Sequence, residues 1–300
     1  MPELPDVTLY VEHLERLLKG HLLRKIRLAS PFVLRSVAPP VAAAEGRRVE
    51  AVSRLGKRIV IFLEGEISLV IHLMIAGRLR WRFALAPIPK KIGLLSLDFE
   101  HGSVFLTEAS PKKRAWVRVV SGREALAALD PGGLEPLEAP FADFAARLRS
   151  ENHTLKRALT DPSLFSGIGN AYSDEILHRA KLSPVALTSR LSDADAARLW
   201  GAMKETLVEW TERLRRETGD RFPEKVTAFR EEMAVHGKFG LPCPACGTPV
   251  QRIAYAGNET NYCPACQTAG KLLADRSLSR LLRGDWPKSL EEMEERKGRR

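Results

Sequence analysis

Cysteine is almost absent from this chain: four residues in 300, all between positions 243 and 266. That excludes a scattered disulfide framework, and in a reducing compartment one tight cluster argues for a bound metal. No apolar run approaches the ~20 residues of a membrane-spanning helix. No basic region followed by an apolar stretch stands at the start, so no signal peptide and a cytoplasmic location are expected. No internal repeat is found. Acidic charge is in deficit, with 37 Asp and Glu against 47 Lys and Arg, a net charge of +10. The partner implied is a polyanion, nucleic acid before a membrane surface.

The length allows two domains, each with its own core. Leu4, Val7, Val11, Leu14 and Leu18 recur at helical spacing before Gly20, predicting one amphipathic helix over residues 4–19. Eight short strands are then expected, at Lys25–Leu28, Arg48–Ser53, Arg58–Leu63, Ile67–His72, Gly77–Arg82, Leu94–Phe99, Val104–Thr107 and Trp116–Val120, with a hairpin-type turn at His101-Gly102. Asp130-Pro-Gly-Gly-Leu-Glu-Pro-Leu137 breaks the pattern as a linker. Helices are predicted at Phe141–Arg149, Leu155–Thr160, Ala171–Ala180 and Ser192–Glu217, the last with a capping-box-like start at Ser192 and Asp195. A loop over Thr218–Glu224, a further short helical stretch, the cysteine cluster and a helical extension ending in charge complete the chain.

Cys243-Pro-Ala-Cys246 and Cys263-Pro-Ala-Cys266 are two C-x2-C knuckles with 16 residues between them. This is the spacing of a structural Zn2+ site, four thiolates on one ion with no position left open. The intervening residues 251–262 suit a β-hairpin tipped by Gly257-Asn258. At the other end, Met-Pro-Glu-Leu-Pro-Asp offers a secondary amine, Pro2, once the initiator methionine is removed, with the carboxyl of Glu3 beside it. An α-amino group titrates at about 7.7–8.0, well below lysine at ~10.4, so it can attack an electrophilic carbon near neutrality. The bland reading is a disordered end with Glu3 starting a helix.

Other stretches carry weaker signals. Ser166-Gly-Ile-Gly-Asn170 lets a backbone approach closely at Gly167 and Gly169 and offers helix-start amides to an anion, or is a tight turn between core helices. Lys156, Arg157, Arg179 and Lys181 surround it with positive charge. Lys57, beside Gly56, is by default a solvated lysine. Lys112, Lys113 and Arg114 precede Ala115-Trp116, a contact for phosphate and base or an exposed charge run. His72 reads as a core histidine, and Met74 and Ile75 as core or as a wedge at a DNA surface.

Together these residues resemble the formamidopyrimidine-DNA glycosylase and endonuclease VIII family over residues 1 to about 271. The resemblance rests on PELPDV at 2–7, RLGKRIV at 54–60, His72-Leu followed by Gly77, LEPL at 134–137, LFSGIGNAYSDEIL at 164–177 and the two knuckles. It implies an α+β fold in two domains, an N-terminal β-sandwich with a leading helix and a C-terminal helical domain with a helix-two-turn-helix and a zinc β-hairpin, and DNA between them. The expected boundaries are 1–130 catalytic, 131–140 linker, 141–235 helix-two-turn-helix, 236–271 zinc hairpin and 272–300 extension.

Residue by residue, the resemblance implies that Pro2 attacks C1′ of a flipped-out damaged nucleotide, Glu3 protonates the sugar ring oxygen, and Lys57 binds a phosphate near the lesion and assists the chemistry as a third catalytic residue. Lys156 and Asn170 grip phosphates, Glu175 is a carboxylate close to the site, and Gly167 lies in the turn. Thr218–Glu224 lies where the family has a loop over the flipped base. Departures are Asp6 for a glutamate, Ile75 aligned with the intercalating methionine unless Met74 takes that role, Lys112 for the arginine that reads the opposite cytosine, Arg114 for the void-filling phenylalanine, and Asn258 for a phosphate-gripping arginine.

The expected function is a bifunctional DNA glycosylase and AP lyase of base excision repair. It acts as a monomer on damaged double-stranded DNA, associated with the nucleoid, and excises oxidised purines through a Pro2 Schiff base with β,δ-elimination. The alternatives are the same chemistry on oxidised pyrimidines, hydantoins, abasic or single-stranded lesions, and a non-catalytic zinc protein that binds damaged DNA.

Overall fold

A computed structural model describes residues 1–82, 85–224, 226–227, 229–255, 258–274 and 286–298. Two compact units divide it: Met1–Gly133 with Val208–Ala228, and Leu134–Leu207 with Phe229–Arg300. The division after Gly133 falls inside the stretch read as a linker.

The first unit opens with α1 (Leu4–Leu18), started by a capping box in which Glu3 and Asp6 each accept the other's backbone N–H. Pro5 in the first turn needs no hydrogen-bond partner there. Val7, Tyr10, Leu14 and Leu18 are fully buried, and burying each such side chain stabilises the fold by about 1.5–3 kcal/mol. They pack on a sheet of eight antiparallel strands: β1 (Leu22–Leu28), β2 (Arg47–Leu55), β3 (Arg58–Leu63), β4 (Ile67–His72), β5 (Gly77–Arg82), β6 (Gly93–Phe99), β7 (Gly102–Glu108) and β8 (Trp116–Ser121). The spatial order is β5-β7-β6-β1-β2-β3-β4-β8. Only Leu22–Arg48 and Leu23–Arg47 join β1 to β2, so the sheet turns a corner there. Its two four-stranded halves share one core, with Leu79, Leu97 and Leu106 from one and Ile59, Leu69 and Ile71 from the other.

The expected sandwich with a leading helix is therefore present, and each predicted strand is found within a few residues. One turn differs. Phe99 pairs with Gly102, so the hairpin turn is Glu100-His101 and Gly102 opens β7. A Cβ at 102 would meet the Arg82 carbonyl oxygen and the Trp81 ring at 2.5 Å, so this glycine serves close packing within the sheet.

A short α2 (Arg123–Ala127) follows β8, and the second unit then carries α3 (Phe141–Arg149), α4 (Leu155–Thr160) and α5 (Asn170–Arg179). Phe144 and Phe165 meet at 5.1 Å between ring centres, pinning the α4–α5 connection to α3. Within that connection Asp161 holds Ser163 through its backbone N–H at 2.9 Å and its hydroxyl at 2.6 Å. Gly167 takes φ +79°, which a side chain would disfavour. Helix α6 (Asp193–Thr218) starts where Ser192 Oγ accepts the Asp195 N–H at 3.1 Å, the cap its sequence implies.

The helical stretch expected after residue 224 is absent: among the described residues, 226–227 and 229–240 contain only turns and irregular backbone. The Glu175 carboxylate takes three successive N–H groups there, from Ala234, Val235 and His236 at 2.8–2.9 Å, and so removes the donors a helix needs. Strands β9 (Gln251–Tyr255) and β10 (Asn258–Tyr262) form the hairpin between the knuckles, its predicted tip lying partly outside the described residues. After α7 (Pro264–Thr268), the described part of the extension includes a terminal helix, Leu290–Gly298.

Candidate active site

In the first unit the amino terminus is half-buried at the start of α1, with Pro2 and Glu3 buried behind it. Burial holds the terminal amine below its usual pKa. The charges of Arg78 and Lys57 act in the same direction, and those of Glu3 and Asp6 oppose them. In the described chain this amine is that of Met1. Pro2 nitrogen becomes an amine only when Met1 is removed, one residue further in. Burial and two cations thus favour the unprotonated amine, and two carboxylates favour the protonated one, with burial the largest influence.

Lys57 lies at the β2–β3 turn, where Gly56 has φ +61°. Arg78 was missed in the sequence, although the alternation Gly77-Arg-Leu-Arg-Trp-Arg82, with Leu79 and Trp81 buried, separates an arginine face from a core face. Its guanidinium donates to the carbonyls of Ile75 (3.2 Å) and Gly77 (2.7 Å). His72 Nδ1 accepts the Met74 N–H at 2.9 Å, which leaves the proton on Nε2. Burial first, then Arg58 and Lys57, lower its pKa to about 4. Its ring stacks on Trp116 at 5.4 Å.

Between β4 and β5, Met74 takes φ +51° and the turn closes by Gly77 N–H to the Leu73 carbonyl at 2.8 Å. Met74 is partly buried, whereas Ile75 is 59% exposed. Lys112, Lys113 and Arg114 are exposed on the loop before β8, with the Lys113 ammonium on the Glu108 carbonyl. The 218–224 segment folds on the same unit. Asp220 bonds Arg16 at 2.9 Å, Glu224 pairs with Arg82, and the Phe222 ring lies 5.9 Å from Tyr10.

In the second unit Lys156 is committed inward. Its ammonium donates to Asp174 Oδ1 at 2.5 Å and to the Asn170 carbonyl at 2.6 Å. Asp174, with no side-chain exposure, also bonds His236 Nδ1 at 2.8 Å and accepts the Asn261 N–H at 3.2 Å. Neither Asp174 nor His236 was singled out from sequence. The adjacent carboxylates Asp174-Glu175, directly before the apolar pair Ile176-Leu177, were the available signal. The Glu175 carboxylate is buried and accepts the N–H groups of 234–236, so it positions that segment. Asn170 Nδ2 donates to the Glu259 carbonyl at 2.8 Å, tying the start of α5 to β10. The side chain of Asn258 lies outside the described residues.

The sulfurs of Cys243, Cys246, Cys263 and Cys266 lie within 4.8 Å of one another. Individual separations are 4.0 Å for Cys243–Cys266 and 3.4 Å for Cys246–Cys263. A tetrahedral ion with Zn–S bonds of about 2.3 Å spaces its sulfurs by about 3.8 Å, so the cluster fits one Zn2+ with no open position. His178 Nε2, 3.2 Å from Cys243 Sγ, is placed to donate to the thiolate, and Gln267 accepts the Cys263 N–H at 2.8 Å while donating to the Leu182 carbonyl. Such outer contacts fix ligand orientation.

Comparison with known proteins agrees with this arrangement. Residues 1–125 match the formamidopyrimidine-DNA glycosylase N-terminal domain, 133–218 the H2TH domain of the same enzymes, and 240–269 the zinc finger found in FPG and IleRS. A formamidopyrimidine-DNA glycosylase of Thermus thermophilus is 38% identical over 277 residues, covering 90% of this chain and all of that protein. An uncharacterized formamidopyrimidine-DNA glycosylase-like protein of Mycobacterium tuberculosis is 42% identical over 151 residues, half of this chain. Among solved structures, the Thermus thermophilus MutM (Fpg) protein superposes with TM-score 0.73 at 34% identity, covering 89% of this chain and 98% of that one. A Lactococcus lactis Fpg complex with DNA containing an abasic site gives 0.77 at 26% identity, covering 89% and 99%. Fold, N-terminal site and thiolate cluster define the class, a DNA-repair glycosylase with a structural zinc finger. Within it, the chain belongs to the formamidopyrimidine-DNA glycosylase family.

Proposed function

We propose that this protein is a bifunctional DNA glycosylase and AP lyase acting on oxidised purines, with Pro2 as nucleophile. The observation that carries the reading is the burial of the N-terminus under the charges of Glu3, Asp6, Lys57 and Arg78. With Met1 removed, the Pro2 lone pair attacks C1′ of a flipped-out nucleotide, the C1′–N glycosidic bond breaks with its electron pair leaving on the base, and the proton lost from the Pro2 nitrogen neutralises that base. Glu3 protonates the ring oxygen, and the C1′–O4′ bond opens to give the iminium. That cation acidifies C2′–H. Its loss expels the 3′ phosphate, a second elimination expels the 5′ phosphate, and water hydrolyses the iminium to free Pro2.

Lys57 is assigned to a phosphate beside the lesion, and Ile75, the more exposed of the wedge candidates, to the stacking gap. Lys112, Lys113 and Arg114 are assigned to the opposite strand. Gly167, Lys156 and Asn170 set the start of α5 for a phosphate, Lys156 by fixing the Asn170 carbonyl. The net charge of +10 makes binding fall steeply with salt.

One observation favours a second reading of the substrate. Arg114 is exposed and cationic where the family resemblance implies an apolar ring, so the loop offers no aromatic face to the void. The same chemistry on lesions opposite any base, or in unpaired DNA, then follows. Duplexes carrying 8-oxoguanine, an oxidised pyrimidine or an abasic site, each opposite all four bases, decide between them after borohydride reduction. Covalent adducts on 8-oxoguanine opposite cytosine support the purine reading. Adducts independent of the opposite base support the second, and none on any substrate overturns both.

A further inference from the structure

The loop Ser110–Arg114 has no regular structure and four exposed residues, Pro111 to Arg114, yet it is held at its far end by one carboxylate. Glu108, the last residue of β7, is only 1% exposed. Its Oε2 accepts the N–H of Arg114 at 2.7 Å and of Ala115 at 2.9 Å, its carbonyl accepts the Lys113 ammonium, and its own N–H donates to the Ile92 carbonyl at 2.7 Å. The loop therefore leaves and returns on the same residue.

Glu108 also faces the neighbouring turn. It is the strand partner of Gly77, whose N–H closes the Leu73–Gly77 turn. The fit there is tight, because a Cβ on Gly77 would run into the Leu73 carbonyl oxygen and stand 2.9 Å from the Ala115 Cβ. The turn bearing Met74 and Ile75 and the loop bearing Lys112 and Arg114 are thus one mechanical piece joined at Gly77, Glu108 and Ala115. A buried carboxylate is retained at a cost unless its oxygens are used, and here its use is to hold this junction.

We infer that Glu108 is a positioning residue for duplex DNA: it holds the opposite-strand loop and the wedge turn in a fixed relation, so that a flipped nucleotide is replaced by a preformed surface. Pre-organisation lowers the ordering cost of binding. The effect belongs to duplex substrates, since a single strand has neither a stack to fill nor an opposite base to meet. The inference rests on the glycosylase reading above, and its structural half is measurable without turnover.

The test compares wild type, Glu108→Ala and Glu108→Gln on an abasic site in duplex and in single-stranded DNA, together with amide hydrogen exchange of the free proteins. In E108A, kcat/KM on the duplex falls about tenfold or more, the size expected for losing charge-assisted hydrogen bonds, while the single-stranded value stays within about twofold. E108Q keeps an acceptor oxygen and restores most of the duplex activity. Exchange in E108A quickens in residues 110–115 and 73–77. Equal losses on both substrates, or unchanged exchange in 110–115, overturn the inference. Should E108A fail to fold, Glu108→Asp, with its carboxylate drawn back by one methylene, replaces it. If wild type acts on neither substrate the glycosylase reading fails, and exchange alone decides whether Glu108 holds the loop.

Discussion

Removing the Asp174 carboxylate should open the second unit far more than a surface change could. Its oxygens hold the Lys156 ammonium at 2.5 Å, His236 Nδ1 at 2.8 Å and the Asn261 N–H at 3.2 Å. The Lys156 side chain is only 12% exposed and that of Asp174 not at all. Deleting one partner of such a pair strands the other charge, at a cost of about 3–5 kcal/mol. In Asp174→Ala, Lys156 keeps only the Asn170 carbonyl, and the start of α5, the 236 turn and β10 lose their common anchor. A cost of 3 kcal/mol is a factor of about 150 in the local opening equilibrium. Zinc held by the adjacent thiolates reports that opening. With a chelator in excess, release from D174A should be at least about 100-fold faster than from wild type, and D174N, which keeps the shape and one acceptor, should fall between them. Release from D174A at the wild-type rate would refute the reasoning, since the network would then not hold the zinc-bearing segment.

Further outcomes follow from other parts of the chain. Gly77→Ala forces a Cβ onto the Leu73 carbonyl and toward Ala115 and should cost about 1–3 kcal/mol, seen as a lower urea midpoint for the first unit; an unchanged midpoint contradicts the packing. His72, with its pKa at about 4 against about 6.5 in an unfolded chain, refuses when folded a proton that the unfolded chain accepts. Its contribution is therefore full above pH 6.5 and is lost as pH falls toward 4, by up to about 3 kcal/mol. His72→Asn keeps an acceptor for the Met74 N–H and should flatten that part of the stability curve; an unaltered curve would remove His72 as its cause. One zinc per chain is expected by elemental analysis, falling well below one in Cys263→Ser; unchanged zinc in that variant would contradict a four-thiolate site.

Much of the fold was legible because its elements repeat a period. The helical spacing of Leu4, Val7, Leu14 and Leu18 and the apolar runs of β3 and β4 report burial directly, and the C-x2-C knuckles state their ligand set in the sequence. The helix expected after residue 224 failed for a non-local reason: Glu175, some sixty positions earlier, captures the backbone of 234–236. The inward pairing of Lys156 was hidden because its partner Asp174 is 18 residues away in sequence and nothing local marks the pair. Glu108 was invisible for the same reason, since a glutamate at a strand end is ordinarily solvated and its value here comes from two amides six and seven residues on. Arg78 was hidden among three alternating arginines, and nothing local marks it as one of the main charges acting on the N-terminus.

The central claim is that the amine of Pro2 carries the chemistry. The direct test is peptide mapping by mass spectrometry of the adduct formed with abasic-site DNA and reduced with borohydride, after nuclease trimming to the sugar. The account predicts the added sugar on the N-terminal peptide, at the Pro2 nitrogen, in molecules that have lost Met1. A sugar found on Lys57 or another lysine, or adducts formed equally by chains that retain Met1, would contradict it.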